Sequence, residues 1–498
     1  MDDLVQGVAS QTFALNGWDR VSSFTNIPYI YFFKNDNADD AGSASFMPAE
    51  PMRASFLRAV KEFPILLGHL VVARDGSASI HTDSARLNMP EYAESSSCIH
   101  YSAIEQAGFS WDALPWGLTT TDALTAADAD GTIRFAHAHV VRLKRASGLL
   151  LFVSLSHYVV DGVGYGAFVN RWAEICRWMC AGAAAECLPC RPYSFDRADF
   201  ARCLPGNTAT LNKEMRRIYA SPSCAGWALA QMSPAMHGST LTTLNGLIGA
   251  KSHVFHITHA AVAALRESVL AHVPAGSRAS DNDILTALVG CTIATAMQPD
   301  PDASWLWQAL SSAARKAARM LAGMYDEFAI FLVLDIRSRA KTLAHGPAPY
   351  TGNCVTCVPI VHPMAQIAAP GTTTATLAAM CASVRAAVNS FDHPTIAALD
   401  AAMEADKASF GHIMVSGQRY PRKVVLSNQS RFTLYECDFG AGIPTWVSPL
   451  PTFYVNFASV LPLCPSSDGY DIYMTLETAV MERVAQNTLW ALHTTLAY

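Results

Sequence analysis

SLSHYVVDGVG, residues 154–164, joins an apolar run to a single histidine and then to a glycine-rich turn. The run from Leu149 to Val153 has the continuous hydrophobicity of a strand that is buried on both faces. His157 follows this strand, and Asp161 and Gly162 come four and five residues later. The next segment carries apolar residues at helical spacing: Phe168, Trp172, Ile175 and Met179. The pattern predicts an imidazole held rigidly between a strand and a helix, which suits a general base.

The composition is that of a large and weakly charged protein. Of the 498 residues, 51% are hydrophobic and 15% are charged, whereas an average soluble domain has about 25% charged residues. A chain of this length predicts two or three domains around large cores. The net charge of −6 and the absence of a basic stripe argue against nucleic acid as a partner.

The sequence gives no sign of a membrane protein or of a secreted, disulfide-rich one. No stretch approaches the ~18 apolar residues of a membrane helix, and the acidic start Met1-Asp2-Asp3 is unlike a signal peptide. We therefore expect a cytoplasmic protein. A peroxisomal location stays open, although the ending Leu496-Ala497-Tyr498 differs from Ser-Lys-Leu.

Thirteen cysteines in 498 residues are too few for a disulfide framework, and their number is odd. The two C-x-x-C pairs, Cys187/Cys190 and Cys354/Cys357, lie far outside the spacing of a zinc ribbon. We expect reduced, structural cysteines, with no metal site and no permanently bound cofactor.

Strand-like and helix-like segments alternate on both sides of a long stretch rich in Pro, Ser, Thr and Gly. Before that stretch we expect a helix over 52–63, a strand over 65–73, and a hairpin of 135–143 with 149–156. After it, Ser280-x-x-Asp283 forms a capping box that begins a helix, and 328–336 reads as a buried strand. The expected organisation is an N-terminal domain (1–200), a crossover segment (201–247) and a C-terminal domain (248–498).

A second cluster, Asp438-Phe439-Gly440-Ala441-Gly442, lies near the C-terminus. Together with H-x-x-x-D-G at 157–162 it is similar to the two signatures of the BAHD acyltransferases, the CoA-dependent O- and N-acyltransferases of plants and fungi. In the second signature, D-F-G-W-G, Ala441 replaces the tryptophan, and the overall appearance resembles the fungal branch. Lesser segments that resemble the family follow in the family's order: Phe63 to Gly68, Asp281 to Leu288, Asp335 to Arg339, Tyr350 to Asn353, and Ser427 to Asp438.

This resemblance implies a mixed α/β fold of two chloramphenicol-acetyltransferase-like domains joined by a long crossover. A solvent channel would run between them, with acyl-CoA as co-substrate entering from one face and the alcohol acceptor from the other. The protein would be a monomer.

The chemistry expected at the first cluster is proton removal from an alcohol. A neutral imidazole at His157 can take the proton as the oxygen attacks the thioester. A covalent route would need a Ser or Cys beside this base, and the Ser156 side chain should point to the opposite strand face. Gly162 is expected to avoid a clash where the chain turns and substrate approaches.

The family pattern gives Asp161 a supporting role: it points away from the channel and pairs with an arginine, here expected to be Arg337. The same resemblance implies that Ser427 and Asn428 contact the pantetheine, and that the loop of Asp438, Gly440 and Gly442 shapes the CoA side from behind. The sequence does not single out oxyanion donors. The candidates are Asn353, a Ser or Thr within 445–452 such as Thr452, and backbone N–H groups near Gly162 or Gly442.

Other functions remain open at this point. Condensation domains of peptide synthetases share the implied fold and the motif H-H-x-x-x-D-G, but Ser156 stands where their first histidine would be. A binding homologue without activity and an acyl-CoA hydrolase are further alternatives. For the acceptor we expect a hydroxyl of a secondary metabolite or glycolipid, because fungal members of the family act on such lipophilic or glycosylated alcohols.

Overall fold

The protein is described by a computed structural model that covers the following residues: 7–21, 25–37, 46–115, 132–182, 188–198, 249–298, 327–339, 348–367, 373–405, 420–451 and 455–498. The expected crossover, 201–247, lies outside these residues, and the domain boundaries stay predictions.

Strands and helices alternate along the chain. Within the described ranges, the strands are β1 (Gln11–Leu15), β2 (Asn26–Lys34), β3 (His69–Val72), β4 (Ala78–Thr82), β5 (Glu91–Ser96), β6 (Ala136–Arg142), β7 (Gly148–Ser156), β8 (Ala250–Thr258), β9 (Glu327–Asp335), β10 (Val355–Pro363), β11 (Arg422–Asn428), β12 (Trp446–Pro449), β13 (Phe457–Val460), β14 (Gly469–Glu477) and β15 (Thr495–Leu496). The helices are α1 (Gly17–Val21), α2 (Ala49–Glu62), α3 (Tyr101–Gln106), α4 (Gly162–Cys180), α5 (His259–Leu270), α6 (Asp281–Ala296), α7 (Met364–Ile367), α8 (Thr374–Ser390), α9 (His393–Ala405), α10 (Thr478–Ala485) and α11 (Thr488–His493).

The first large sheet has five strands in the order β12-β2-β7-β6-β5. Every residue of β7 is buried, because this strand lies between β2 and β6 and is covered on both faces. α2 and α4 pack against each other, and Phe56, Phe168 and Trp172 form an aromatic core with 5–6 Å between ring centroids. The apolar run that precedes His157 is therefore the central strand of this half.

The second large sheet has seven strands in the order β10-β9-β11-β13-β14-β8-β15. α6 is buried over most of its length and packs against α8. The predicted capping box at its start is confirmed: Ser280 accepts from the Asp283 main-chain N–H, and the Asp283 carboxylate accepts from the Ser280 N–H.

The two halves are interwoven, since β12 lies late in the chain and yet pairs with β2 of the first sheet, with Val447 opposite Tyr31. A further three-stranded sheet has the order β1-β4-β3. The mixed α/β class expected from the sequence is confirmed by these sheets. None of the helices in the described part of the chain has the length and hydropathy needed to cross a bilayer.

Candidate active site

His157 follows the last residue of β7, at the junction of the two large sheets. Its main-chain N–H donates to the carbonyl of Thr25 (2.9 Å), which ties the start of the loop to the residue just before β2. Its side chain is half-buried and lines a channel. The buried strand and this hydrogen bond fix the position of the imidazole in the channel wall.

Asn353, which lies two residues before β10, determines the orientation of the His157 ring. The Asn353 Nδ2 donates to the main-chain oxygen of His157 (2.8 Å) and to Oδ1 of Asp19 (2.9 Å). Because both of those partners can only accept, the amide oxygen of Asn353 must face the imidazole. That oxygen lies 2.8 Å from His157 Nδ1, so Nδ1 carries the proton and Nε2 carries the free lone pair.

Behind Asn353 lies a buried ion pair that no sequence motif indicated. Arg197 donates to the two carboxylate oxygens of Asp19 (3.0 and 3.1 Å) and to the main-chain oxygen of Val159 (2.8 Å). Asp19 is fully buried, and Arg197 is 5% exposed. The pair therefore supports the Asn353 amide and the loop after His157 at the same time.

The environment of His157 favours the neutral imidazole. Burial lowers the pKa of His157 below its ordinary value of 6.5, and the charge of Asp161 and the hydrogen bond that His157 donates to Asn353 oppose this only in part. At neutral pH the ring is thus unprotonated at Nε2 and able to accept a proton.

The structure brings Asp161 and Arg337 together as a bidentate ion pair. Arg337 donates to the two carboxylate oxygens at 2.8 and 2.9 Å, and the N–H of Cys354 donates to one of them at 3.0 Å. Asp161 also caps α4, because its side chain accepts from the N–H groups of Val163 and Gly164. Burial raises the pKa of Asp161, but the guanidinium and these hydrogen bonds outweigh it, so the net pKa is below its ordinary value.

Gly162 is required by close packing. A Cβ at this position would lie 2.2 Å from ring atoms of Phe432. The Phe432 ring therefore rests on the backbone of Gly162, and both residues line the channel. The close approach expected from the sequence is made by a protein side chain.

The channel runs between the two large sheets and encloses about 970 Å³, including its open mouth. The first half of the chain contributes Thr25, Ile27, Tyr29 and His157, and the second half contributes residues of β9, β10, β11 and β13. The lining is largely apolar, and its hydroxyl and amide groups are those of Thr25, Tyr29, Thr356, Ser427, Gln429, Ser459 and Tyr473.

The D-F-G segment lies behind α4. Asp438 accepts from the N–H groups of Gly440 (2.8 Å) and Gly442 (3.0 Å), and both glycines have positive φ, which favours glycine. Phe439 is buried, and its ring centroid lies 5.0 Å from that of Trp172. The loop is therefore a tight turn that is anchored in the core of the first half.

Comparisons with known proteins identify similar sequences and structures. A family model described as "Transferase family" matches residues 303–489. The chain is 23% identical over 468 residues to hydroxycinnamoyl-CoA:5-hydroxyanthranilate N-hydroxycinnamoyltransferase HHT4 of Avena sativa, covering 92% of this chain and 90% of that relative. These matches agree with the resemblance to the BAHD acyltransferases that the two motifs indicated.

Solved structures show the same fold. TRI101 of F. sporotrichioides, complexed with coenzyme A and T-2, aligns with a TM-score of 0.70 at 16% identity over 98% of this chain and 100% of that one. Vinorine synthase aligns with a TM-score of 0.53 at 14% identity over 96% of this chain and 93% of that one. These alignments confirm the expected mixed α/β fold of two domains.

The candidates for oxyanion donors lie in different surroundings. Both Nδ2 hydrogens of Asn353 are used by His157 and Asp19, so the expectation that Asn353 donates to an oxyanion is corrected: it orients the His157 ring instead. The Gly442 N–H is held by Asp438. Thr452 lies outside the described residues.

The two residues predicted to contact pantetheine lie in different surroundings. Ser427 lines the channel and is 8% exposed. Asn428 is the last residue of β11, and its side chain donates to Asn282 (2.9 Å) and accepts from Ser430. Within the described residues, no group of three His, Cys, Asp or Glu side chains is placed to hold a metal ion.

Proposed function

We propose that this protein is a BAHD acyltransferase that transfers an acyl group from acyl-CoA to a hydroxyl of a secondary metabolite or glycolipid, with His157 as the general base. The observation that carries the proposal is the 2.8 Å contact between His157 Nδ1 and the amide oxygen of Asn353. It leaves Nε2 as the basic atom of an imidazole that lines the channel.

The proposed reaction proceeds by direct attack. Nε2 of His157 removes the proton of the acceptor hydroxyl while the hydroxyl oxygen bonds to the thioester carbon. The tetrahedral intermediate then collapses, the carbon–sulfur bond breaks, and the imidazolium returns its proton to the departing thiolate. The products are the ester and free CoA thiol, and the histidine regains its neutral form.

Two nearby residues argue against an acyl-enzyme. Ser156 is buried, its hydroxyl oxygen accepts from the Tyr158 N–H (3.3 Å), and it is not among the residues that line the channel. Cys357 does line the channel, but burial raises the pKa of its thiol to about 12. A thiol with that pKa is almost entirely protonated at pH 7 and is a poor nucleophile.

Ser427 and Ser459 are the proposed donors for the oxyanion. They are register partners on β11 and β13, and both line the channel. Neighbouring hydroxyls on one wall can aim two O–H donors at the carbonyl oxygen as its charge develops. Ser427 takes this role in place of the pantetheine contact that the family resemblance implied.

The proposed acceptor class rests on the channel and on the relatives. The wall is formed largely by side chains such as Ile27, Val333, Val425 and Phe457, which suit a lipophilic alcohol. The TRI101 structure holds T-2 beside coenzyme A. The assignment to the fungal branch, the monomeric state and the cytoplasmic location stay predictions from the sequence.

The test is a CoA-release assay with purified protein, several acyl-CoAs and a panel of hydroxylated acceptors, with the ester identified by mass spectrometry. We expect His157→Ala to lower kcat by ~10²–10⁴-fold with the melting temperature unchanged, whereas Ser156→Ala should retain activity. Thiol release without an acceptor would instead indicate a hydrolase. Full turnover by His157→Ala would refute the assignment of the base.

A further inference from the structure

Tyr29 and Gln429 join the two halves across the channel wall. Tyr29 lies in β2 of the first sheet, and Gln429 directly follows β11 of the second. The Tyr29 hydroxyl donates to Oε1 of Gln429 at 2.7 Å, and both residues line the channel together with His157. This bond has no role in the mechanism described above.

Tyr29 is a rigid support for this bond. Its main chain sits between β7, opposite Val153, and β12, opposite Pro449. Its side chain is 3% exposed, and its ring lies 5.4 Å from that of Tyr165. Since burial raises the pKa of Tyr29 well above its ordinary value, the hydroxyl keeps its proton and acts as the donor.

The main chain of Gln429 is held by hydrogen bonds, and the residue lines the channel. Its N–H donates to the carbonyl of Val460 (2.8 Å), and its own carbonyl accepts from the N–H of Phe432 (2.9 Å). Because Oε1 accepts the Tyr29 proton, the two N–H donors of Nε2 point the other way. Within the described residues these donors have no hydrogen-bond partner, and the residue is half-buried in a wall that is otherwise mostly apolar.

We propose that the Gln429 carboxamide, oriented by Tyr29, binds an oxygen of the alcohol acceptor other than the one that is acylated. This inference rests on the proposed function and adds to it a class of acceptor: alcohols that carry a second hydroxyl, an ether or a carbonyl oxygen. A polar donor pair in an apolar wall discriminates strongly, because it is left unpaired when the substrate lacks the matching oxygen.

Acyl-CoA also carries carbonyl oxygens that could accept hydrogen bonds from Gln429. We assign the contact to the alcohol acceptor. The two sources are separated by measuring KM for each substrate at saturation with the other.

The experiment compares Gln429→Leu, Gln429→Glu and Tyr29→Phe with wild type. Gln429→Glu keeps an oxygen for the Tyr29 hydroxyl but removes the N–H donors. Gln486→Leu, the same change at an exposed position, is the matched control. The probes are the panel acceptor with the highest wild-type rate and its analogue in which a non-reacting oxygen is replaced by CH₂.

We expect Gln429→Leu and Gln429→Glu to lower kcat/KM about 10-fold for the oxygen-bearing acceptor and less than about twofold for the analogue. Tyr29→Phe should act in the same direction and more weakly, with KM for acyl-CoA unchanged in all three variants. An equal loss for both acceptors, or a rise in KM for acyl-CoA alone, would overturn the assignment of Gln429. Absence of ester from every panel acceptor with wild type would overturn the proposed function and this inference with it.

Discussion

The variant Asp161→Asn tests whether Asp161 has a structural role or takes part directly in catalysis. The variant keeps an oxygen that can accept from the N–H groups of Val163 and Gly164, so the cap of α4 survives. The new amide nitrogen, however, faces donors where Oδ2 accepted from Arg337 and from the Cys354 N–H. A carboxylate that received five hydrogen bonds becomes a group with one acceptor and a donor–donor conflict.

The size of the effect follows from what remains around Arg337. Its side chain is 14% exposed, and its other carboxylate partner, Asp335 at 3.3 Å, is 44% exposed and therefore screened by solvent. Removing one partner of a buried ion pair costs ~3–5 kcal/mol. Because the entropy of unfolding grows with chain length, this corresponds to a fall of about 3–5 °C in Tm for 498 residues that unfold as one unit.

The assay is thermal or urea unfolding of wild type, Asp161→Asn and Asp335→Asn, with acyl transfer measured below the transition. Asp335→Asn is the matched control, because it removes the exposed carboxylate from the same arginine, and its cost should stay under about 1 kcal/mol. Acyl transfer by Asp161→Asn should fall together with stability, since the loop that carries His157 loosens. A variant with unchanged Tm and lost activity would refute the reasoning and make Asp161 a direct participant.

Three further outcomes follow from the site. Since burial places the pKa of His157 below 6.5 and the neutral form is the proposed base, kcat/KM should rise with pH, with a midpoint under 6.5, and should be flat from pH 7 to 8; a midpoint above 7 in the pH profile would contradict this. Gly162→Ala should cost about 1–3 kcal/mol in urea unfolding, because its Cβ would overlap the Phe432 ring, and Phe432→Leu should recover part of the loss; strictly additive costs would rule out this contact. Ser427→Ala should lower kcat by ~10²-fold with little change in KM for acyl-CoA, and steady-state kinetics showing a rise in that KM alone would return Ser427 to the pantetheine role.

The local features of the fold were predictable because adjacent residues specify them. The run before His157 is apolar at every position, and the structure makes it the central strand β7. Ser280 and Asp283 satisfy each other's backbone donors within one turn, so a four-residue pattern was enough. The expected strand over 65–73 is wrong in its first part: Pro64–Leu67 forms a 3-10 turn and the strand begins at His69, because Pro64 preorganises the turn.

The support of the histidine was not predictable for the opposite reason. Asp19 meets Asn353 across 334 residues and Arg197 across 178, and neither Asp19 nor Arg197 belongs to a periodic or spaced pattern. The same holds for β12, whose four residues pair with β2 some 400 residues earlier in the chain. Motif spacing identifies residues that share one loop, whereas these contacts depend on the packing of two sheets.

Two buried aspartates, Asp161 and Asp19, hold the loop that carries His157. Neither makes a hydrogen bond to the His157 imidazole, which contacts Asn353 instead. Asp161 ties the start of α4 to Arg337 of the second half, and Asp19 fixes the Asn353 amide that meets the imidazole. A carboxylate in direct contact with Nδ1 would raise the pKa of the ring. A neutral amide fixes the same tautomer with a smaller rise in that pKa. Because Asn353 and Arg337 both come from the second half, the His157 imidazole is oriented only when the two sheets are packed together. The geometry thus couples formation of the channel to orientation of the imidazole that lines it.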